Sequence, residues 1–353
     1  MIRIADIAKA ATDAGFELAG VAPAEDNPEL AYFPQWIAAG HAGEMKYLEA
    51  RDEQGRLKRA SLAHAAPWAR SIVVCAINYN TALPYSTQSN EANRGWISRY
   101  AWGGEYHDAV MTRLRRVEEA IRNFENCGEL VTRCYVDTGP IVERVAAKYA
   151  GIGWIGKNTC IINQKIGSWL FLGVILTSIE LTALDLESAL PAPDRCGSCT
   201  RCIEACPTDA LIAPYRLDSN KCISYLTIEK RGAIAEELRD GMGRHIFGCD
   251  ICQDVCPWNR KAPATSAAEF QPREELVSPP LEGLAEISAE EFRERFRGSP
   301  VRRAKRSGLR RNAVIAMGNS GDRKFVPLLE ELSADEDEVV GESAAWGIRK
   351  LLG

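Results

Sequence analysis

Histidine is scarce in this chain of 353 residues, and long hydrophobic runs are missing. The four histidines, His41, His64, His107 and His245, are far apart in the sequence and form no histidine-rich metal-binding motif. The longest apolar run, residues 169–179, is too short to cross a bilayer and is predicted to be a buried strand. The sequence therefore argues against a histidine-based metal site and against a membrane-spanning helix.

A signal peptide and an excess of positive charge are also missing. Residues 1–6 lead directly into a helical pattern, without a basic segment followed by an apolar stretch. The formal net charge is −5 at pH 7, which taken alone argues against nucleic-acid binding. We therefore predict a cytoplasmic protein that has no membrane partner and keeps its thiols reduced.

Cysteine, by contrast, is plentiful, and eight of the twelve cysteines have ligand spacing. Residues 196–207 have the pattern C-x2-C-x2-C-x3-C-P, which is typical of [4Fe–4S] cluster ligands. A shorter run covers 249–257, and Cys222 stands between the two runs. Eight thiolates can hold two clusters, so the pattern predicts a redox protein. The other cysteines are expected to be buried free thiols: Cys75, Cys127, Cys134 and Cys160.

The ligand sets are predicted from two-cluster ferredoxins, in which the fourth cysteine of the run ligates the other cluster. The first set is Cys196, Cys199, Cys202 and Cys256. The second set is Cys206, Cys222, Cys249 and Cys252. Zinc sites and disulfides are the alternatives. Zinc sites usually have two separated C-x2-C pairs, and disulfides are rare in a reducing compartment, so both fit the pattern poorly.

Three parts are predicted along the chain, within an α+β fold class. Residues 1–185 alternate helical and strand patterns, as in a layered α/β domain. Residues 186–262 are predicted to form a ferredoxin-like module for two clusters, and 263–353 a basic linker followed by helices. In the first part, helices are predicted over 4–14, 30–39, 108–124 and 141–150, and strands over 18–21, 71–78, 130–136 and 169–179.

The last part has helical patterns at 309–317, 324–332 and 339–352, separated by polar turns. Short helices with Gly, Asn and Asp between them resemble a HEAT-like repeat. One and a half repeats cannot bury their apolar faces alone, so we expect these helices to pack on the preceding domain.

A basic stripe precedes and enters these helices. Nine basic residues and one acidic residue, Glu294, lie between Arg293 and Arg311. Such a stripe can bind phosphates although the net charge is negative. A solvent-exposed helical face has the same composition, so charge alone leaves both interpretations open.

Two further motifs have both a functional and a structural interpretation. Asp137 follows an apolar strand, where a partly desolvated carboxyl can act as an acid or can cap the helix that starts near Ile141. Residues 151–156 match G-x-G-x-x-G, but a helix precedes them where a dinucleotide site needs a strand. We predict a helix-to-strand turn there, or a backbone that a bulky ligand approaches closely.

Several motifs together resemble the epoxyqueuosine reductase family. They are Y-V-D-T-G-P at 135–140, G-W-I-G-K-N-T at 153–159, G-S-W-L-F-L-G at 167–173, and R-R-N-A followed by G-N-S-G-D within 310–322. With the eight cysteines, the resemblance extends over nearly the whole chain. It implies a cytoplasmic enzyme with two [4Fe–4S] clusters and cobalamin. Its reaction removes the epoxide oxygen of epoxyqueuosine at the tRNA wobble position, in the last step of queuosine synthesis.

The resemblance also implies roles for particular residues. Asp137 matches the position of the family's proton donor, and the cluster that includes Cys256 is expected nearer the corrin. The corrin pocket is expected to include Arg59, Asp137, Lys157, Asn158, Ser168 and Asp250. The tRNA anticodon stem-loop is expected to contact Lys230, Arg231, Arg302, Arg303, Lys305 and Arg306.

His245 lies in G-R-H-I-F-G, where Gly243 replaces the aspartate of the cobalt-binding pattern D-x-H-x-x-G. A histidine without that orienting partner is not predicted to bind cobalt, so cobalamin is expected without a protein histidine on the metal. A cytoplasmic electron donor and a monomeric state are also expected. Two other classes remain open, a corrinoid reductase of a small substrate such as an organohalide, and a non-catalytic electron carrier.

Overall fold

The computed structural model of the chain describes residues 3–88, 91–124, 129–181 and 191–353. The helices of its first part are α1 (Ile4–Asp13), α2 (Phe33–Ala38), α3 (Leu62–Ala65), α4 (Tyr106–Arg122) and α5 (Glu143–Tyr149). The helices of the rest are α6 (Arg201–Glu204), α7 (Ile223–Ile228), α8 (Glu236–Arg239), α9 (Ile251–Asp254), α10 (Glu274–Val277), α11 (Glu282–Ala285), α12 (Ala289–Arg295), α13 (Lys305–Asn319), α14 (Val326–Leu332) and α15 (Glu338–Leu352). The strands are β1 (Leu18–Pro23), β2 (Ser71–Asn78), β3 (Trp96–Ile97), β4 (Thr132–Tyr135), β5 (Trp154–Ile155), β6 (Ile161–Ile162), β7 (Leu170–Thr177) and β8 (His245–Phe247).

Four strands form an antiparallel sheet in the order β1–β2–β7–β4. In the middle of the sheet, Cys75 of β2 lies opposite Ala19 on one side and Gly173 on the other. β4 is an outer strand, and Tyr135 near its end lies opposite Val174. β2 is buried along its whole length, which explains why its sequence is a continuous apolar run instead of an alternating pattern.

Helices cover both faces of this sheet. Val73 and Cys75 face a core formed with α1 and α4, whereas Val74 and Ala76 face a second core formed with α3 and α5. The first part is therefore a layered α/β/α arrangement, and the predicted helices and strands are confirmed with shifts of a few residues at their ends. The boundary predicted at residues 185 and 186 lies outside the described residues.

The glycine-rich segment 151–156 leads from the end of α5 through a turn into β5, the first strand of the β5–β6 hairpin. Gly151 has φ of +73°, a left-handed conformation that favours glycine. A Cβ atom on Gly153 would lie 2.3 Å from the carbonyl oxygen of Ile162. These glycines are therefore required by the turn and by the close packing of the hairpin.

The cysteine-rich part is attached to both of its neighbours. β8 pairs in parallel with β3, so that His245 lies opposite Trp96. Ile246 and Phe247 enter a core that also contains residues of α11, α13, α14 and α15. The C-terminal helices therefore pack on the preceding parts, as expected from their short length.

α13 is the centre of the C-terminal part. Its residues 309–318 are buried, and it packs against α11, α15 and β8. The side-chain amide of Asn312 donates hydrogen bonds of 2.9 Å to the carbonyl oxygens of Thr227 and Ile246. A buried amide that is satisfied in this way ties the helix to the cysteine-rich part.

The segment that follows residue 262, predicted to be a basic linker, packs against the first part of the chain. Phe270 is buried in the core under the sheet, and Glu269 forms an ion pair with Arg113 of α4. Among the helices described, none is both long enough and apolar enough to cross a membrane.

Candidate active site

A cleft of about 1620 Å³ is lined by all three parts of the chain. Asp137 and Arg59 come from the first part, Cys222 from the cysteine-rich part, and Arg302 and Lys305 from the C-terminal part. Pockets for drug-sized ligands usually measure roughly 300–1,000 Å³, so this cleft has room for a larger group. It brings a predicted acid, a predicted cluster ligand and part of the basic stripe into one space.

Asp137 occupies a strained position at the edge of the cleft. It follows β4 and has φ of +56°, which is uncommon for a residue with a side chain. The Tyr106 hydroxyl donates a 2.9 Å hydrogen bond to Asp137 Oδ2, and the Asp137 amide donates a 2.8 Å bond to Glu143 Oε1. α5 has Val142 at its N-cap without a side-chain cap, so the capping interpretation of Asp137 is wrong.

Burial and neighbouring charge tune two groups beside Asp137. Burial, followed by the negative charge of Asp137, raises the pKa of Glu143 to about 8. The same two causes raise the pKa of Tyr106 well above its ordinary range, so its phenol stays protonated and can donate to Asp137. Tyr106 is held in place by the ring of Phe171, which stacks on it at 4.4 Å between centroids with an interplanar angle of 3°.

Arg59 connects the Asp137 loop to a stack of side chains across the cleft. It donates from Nη2 to the carbonyl oxygen of Gly139 at 2.7 Å and from Nη1 to that of Tyr47 at 2.9 Å. The guanidinium carbons of Arg59 and Arg303 lie 5.9 Å and 5.6 Å from the centre of the Tyr47 ring. The cation–π contacts therefore join the first part to the basic stripe.

Electrostatic effects between the thiols divide the cysteines with ligand spacing into two groups. Charges on Cys196 and Cys202 add to burial in raising the pKa of Cys256 to about 11. In the other group, burial raises the pKa of Cys249 well above its ordinary range, with additional effects from Cys222 and Cys206. Burial raises the pKa of Cys202, with a further effect from Cys199. A hydrogen bond with Cys160 and burial raise the pKa of Cys252, with further effects from Cys249 and Cys222.

Cys222, in the second group, lines the cleft, and none of the first four cysteines does. The resemblance implied that the first cluster lies nearer the corrin, and this order stays a prediction. Cys222 reaches the cleft because it stands at the start of α7, whose Ser224, Tyr225 and Ile228 also line it.

Two of the six predicted corrin contacts, Arg59 and Asp137, line the cleft. Lys157 does not, and its Nζ donates to the carbonyl oxygens of Gly197 at 2.7 Å and Cys199 at 3.0 Å. Asn158 is buried and donates to the carbonyl oxygen of Cys252 at 3.2 Å. These residues attach the G-K-N turn to the cysteine loops, and their contact with a cofactor stays a prediction.

Ser168 and Asp250 are also buried and do not line the cleft. The Ser168 hydroxyl accepts hydrogen bonds from Gln253 at 3.0 Å and Asn259 at 2.9 Å. Asp250 accepts from the backbone amide of Arg99 at 2.6 Å. Both side chains therefore hold the loops around Cys252, and their predicted corrin contacts remain untested.

The basic stripe is divided by the fold. Arg302 and Lys305 are exposed at the cleft, whereas Arg310 and Arg311 are buried. Arg310 forms an ion pair with Asp335 at 2.5 Å. Arg311 donates to backbone carbonyl oxygens, including that of Leu226 at 2.7 Å. The solvent-exposed interpretation therefore fails for this end of the stripe, where the side chains stabilise the fold.

The other predicted RNA contacts have partners within the chain. Arg303 makes a bidentate ion pair with Glu229 at 2.8 and 3.0 Å, and Arg306 donates to the carbonyl oxygen of Ile287 at 2.7 Å. Lys230 forms an ion pair with Glu44, and the Arg231 amide donates to the same carboxylate at 2.8 Å. Of the six, Arg302, Arg303 and Lys305 line the cleft.

His245 is buried away from the cleft, with its Nδ1 2.9 Å from the carbonyl oxygen of Met242. His107 does line the cleft, next to Tyr106, and its Nδ1 lies 2.6 Å from Glu105 Oε1. Sequence reasoning missed His107, Tyr106, Tyr47 and Glu143. The available signal was weak, because Tyr106 and Glu143 are simply the first residues of two helices.

Two family profiles match the chain. Residues 59–138 match the family described as epoxyqueuosine reductase QueG, DUF1730, and residues 195–259 match the 4Fe-4S double cluster binding domain. The chain therefore contains an iron–sulfur module for two clusters, between a mixed α/β part and a helical part.

The chain is also similar to individual proteins and to solved structures over nearly its full length. It is 38% identical to the epoxyqueuosine reductase of Pseudomonas aeruginosa, over 95% of this chain and 91% of that protein. A crystal structure of epoxyqueuosine reductase with a tRNA-Tyr epoxyqueuosine-modified stem loop superposes with a TM-score of 0.84 at 31% identity, covering 98% of this chain and 89% of that one. The Bacillus subtilis enzyme, with its catalytic aspartate loop swung out of the active site, gives 0.85 at 30% identity, covering 98% and 90%. The chain belongs to the epoxyqueuosine reductase family.

Proposed function

We propose that this chain reduces the epoxide of epoxyqueuosine at the tRNA wobble position to the alkene of queuosine, in the last step of queuosine biosynthesis. The observation that carries the proposal is the single cleft that contains Asp137, Cys222 and Arg302. An acid, an electron source and a phosphate-binding surface are the three requirements of a reductive deoxygenation on RNA. The relative bound to an epoxyqueuosine-modified stem loop supports the same substrate here.

The electron path is proposed to run through two [4Fe–4S] clusters. The first would be held by Cys196, Cys199, Cys202 and Cys256, and the second by Cys206, Cys222, Cys249 and Cys252. The grouping of these thiols supports both sets, because members of each set influence one another's pKa. Since Cys222 lines the cleft, the second cluster would pass electrons to the reaction.

Cobalamin is the proposed second cofactor, and the cleft fits it in volume and lining. Its wall combines large aromatic side chains such as Tyr47 and Tyr106 with the polar groups Arg59 and Asp137, as expected for a bulky ligand with polar edges. Arg59 and Asp137 would contact it from the cleft wall. Cobalamin, when bound, supplies the electron chemistry at its cobalt. We also propose that no protein histidine ligates the cobalt.

Asp137 is proposed as the general acid. Its carboxyl is exposed to the cleft, and Tyr106 fixes Oδ2 in position. A proton delivered to the epoxide oxygen as the carbon–oxygen bond breaks avoids the expulsion of an alkoxide, and positioned acids contribute about 10²–10⁴-fold. In the Bacillus subtilis relative the catalytic aspartate loop is swung out of the active site, which supports a loop that moves here too. In this chain the hydrogen bond from Arg59 to Gly139 would hold the loop inward.

The anticodon stem-loop is proposed to lie along the basic side of the cleft. Arg302 and Lys305 are exposed there and have no side-chain ion pair within the described residues, so they are available to phosphates. Arg303 would contribute by exchanging Glu229 for phosphate. The polar atoms of Lys230, Arg231 and Arg306 already bind partners within the chain. These three residues would therefore maintain the shape of the RNA-binding surface.

Further parts of the proposal concern assembly and location. We propose that α13, α14 and α15 form a HEAT-like repeat that supports the RNA surface, because α15 packs along both of the other helices. The protein would act as a monomer in the cytoplasm and take electrons from a cytoplasmic donor, as its reduced thiols suit that compartment.

The test is a deoxygenation assay without oxygen in the atmosphere. The chain is purified, both clusters are reconstituted, and cobalamin, a low-potential reductant and an anticodon stem-loop carrying epoxyqueuosine are added. We expect a mass loss of one oxygen atom in the RNA that requires cobalamin and is abolished in Asp137→Ala. Asp13→Asn is the matched control, because Asp13 is an exposed carboxylate paired with Lys9 on α1. A chain with both clusters and cobalamin that leaves the RNA unchanged would contradict the proposal.

A further inference from the structure

The proposed reaction needs two protons, and Asp137 carries one. Removal of an epoxide oxygen breaks two carbon–oxygen bonds, forms one carbon–carbon double bond and releases water. The balance requires two electrons and two protons. The electrons come one at a time from the cytoplasmic reductant, by way of the iron–sulfur module. A second proton donor must therefore act within each turnover.

Glu143 lies where such a donor is needed. It lines the cleft, and its Oε1 accepts the 2.8 Å hydrogen bond from the backbone amide of Asp137. The charged groups that face it are Asp137 from the loop, Arg144 from its own helix and Arg59 from the neighbouring wall. The carboxyl is thus adjacent to the proposed acid and lines the same cleft.

Neither arginine neutralises Glu143 by direct pairing. Arg144 donates to the carbonyl oxygen of Thr159 at 3.0 Å, and Arg59 donates to those of Gly139 and Tyr47. Within the described residues, Glu143 takes part in no ion pair of 4.0 Å or less. A partly buried carboxyl that faces another carboxylate without a counter-ion keeps its proton more readily than an exposed one.

We propose that Glu143 is the second proton donor of this site and returns a proton to Asp137 after Asp137 has protonated the epoxide oxygen. This inference rests on the proposed function and deepens it. The exposed Asp137 carboxylate first takes up a proton from solvent. Its O–H bond then breaks, a new O–H bond forms on the substrate oxygen, and the first carbon–oxygen bond breaks. Glu143 gives its proton to the Asp137 carboxylate, Asp137 protonates the same oxygen again, the second carbon–oxygen bond breaks with the two supplied electrons, and water leaves. Solvent restores the proton on Glu143.

The protonation state at neutral pH agrees with this role. With a pKa raised to about 8, Glu143 holds its proton at pH 7 and loses it as the pH rises through 8. A donor that must be protonated gives a rate that is constant below this pKa and falls above it. An ordinary glutamic acid, with a pKa near 4.3, would have no proton to give at pH 7.

Glu143 also has a structural role, because it accepts the amide hydrogen of Asp137, and the experiment must separate the two roles. Glu143→Gln keeps an oxygen that can accept this hydrogen bond but has no acidic proton. Glu143→Ala removes both. Oxygen removal is measured in single turnovers between pH 6 and 9.5, in chains loaded with both clusters and cobalamin at saturating RNA.

We expect Glu143→Gln to slow oxygen removal about 10²-fold at pH 7, near the lower end for loss of a positioned proton donor. The fall in rate above about pH 8 should disappear with it, whereas RNA affinity should stay unchanged. A wild-type rate and pH profile in Glu143→Gln would overturn the inference. So would a slow Glu143→Ala beside a normal Glu143→Gln, since that result assigns Glu143 a positioning role alone.

A second measurement does not depend on turnover. In the cluster-loaded chain without RNA, infrared difference spectra are recorded between pH 6 and 10. The inference requires a protonated carboxyl band that in the wild type persists at pH 7 and titrates near pH 8, and that is lost in Glu143→Gln. In Asp137→Asn the band should remain but titrate at lower pH, because the negative charge of Asp137 is gone. Absence of this band overturns the inference even if the enzyme is active. Failure of the proposed function would appear instead as a wild-type chain that leaves the RNA unchanged while the band is present.

Discussion

Arg59 donates a hydrogen bond of 2.7 Å from Nη2 to the carbonyl oxygen of Gly139, two residues beyond Asp137. The same guanidinium donates from Nη1 to the carbonyl oxygen of Tyr47 at 2.9 Å. A planar group with several fixed donors can hold two backbone segments at once, which an ammonium group does less well. Arg59 therefore ties the loop of the proposed acid to the Tyr47 segment of the cleft.

Replacement of Arg59 should release this loop. Hydrogen bonds to charged groups contribute about 1.5–3 kcal/mol, so we expect Arg59→Ala to slow oxygen removal about 10- to 100-fold at saturating RNA. Arg59→Lys should recover part of the rate. The control is Arg56→Ala, because Arg56 is an exposed neighbour paired with Asp52 in its own turn. Equal single-turnover rates for Arg59→Ala and Arg56→Ala would contradict the role of Arg59 in holding the Asp137 loop.

Lys157 should stabilise the loop of the first proposed cluster. Its ammonium group binds the carbonyl oxygens of Gly197 and Cys199, so Lys157→Ala leaves two acceptors of this loop without their charged donor. We expect faster loss of iron from one cluster during anaerobic incubation with a chelator, while the other cluster keeps its spectrum. Lys165→Ala, at an exposed position in the turn after β6, should behave as wild type. Equal iron loss from the two variants would show that the contact is unimportant.

Arg302 and Lys305 should account for much of the salt dependence of RNA binding. Each phosphate contact to a single strand changes the slope of log K against log salt by about 0.7, so the double alanine variant should have a measurably smaller slope. Binding of the anticodon stem-loop is measured over a range of salt concentrations. Arg323→Ala is the control, since Arg323 is exposed outside the cleft. An unchanged slope in the double variant would place the RNA elsewhere.

His107 provides a test of the proposed cobalt environment. It lines the cleft and is held by Glu105 and the ring of Tyr106, with ring centroids 4.0 Å apart. We expect the paramagnetic cobalt(II) form of bound cobalamin to show no splitting from a histidine nitrogen, and His107→Ala to leave its spectrum unchanged. Nitrogen splitting that is lost in His107→Ala would identify this histidine as a ligand.

The local features of the fold were predictable from the sequence because they depend on residues close together in the chain. The spacing from Cys196 to Pro207 is a property of one loop, and it matches a double cluster binding domain. The uninterrupted apolar run of β2 predicts a strand with two covered faces, and the sheet has helices on both sides. The position of Asp137 after β4 was equally visible, since a strand and a turn are local structures.

Charge patterns were a weaker guide, because burial depends on distant partners. Arg302 and Arg311 belong to the same basic stripe, yet one faces the cleft and the other donates to carbonyl oxygens inside the protein. The residues after 262 were predicted to form a linker, but Phe270 belongs to a core whose other side chains lie far away in the chain. No local pattern distinguishes these outcomes.

The sequence by itself determined the iron–sulfur module, the layered domain and the residue proposed as the acid. Tertiary structure alone decided what surrounds that acid. Tyr106, Asp137 and Glu143 begin or follow three different elements, and Cys222 reaches the same cleft from another part of the chain. Their proximity depends on how α4, β4, α5 and α7 pack, and packing between segments distant in sequence is not encoded in the spacing of neighbouring residues.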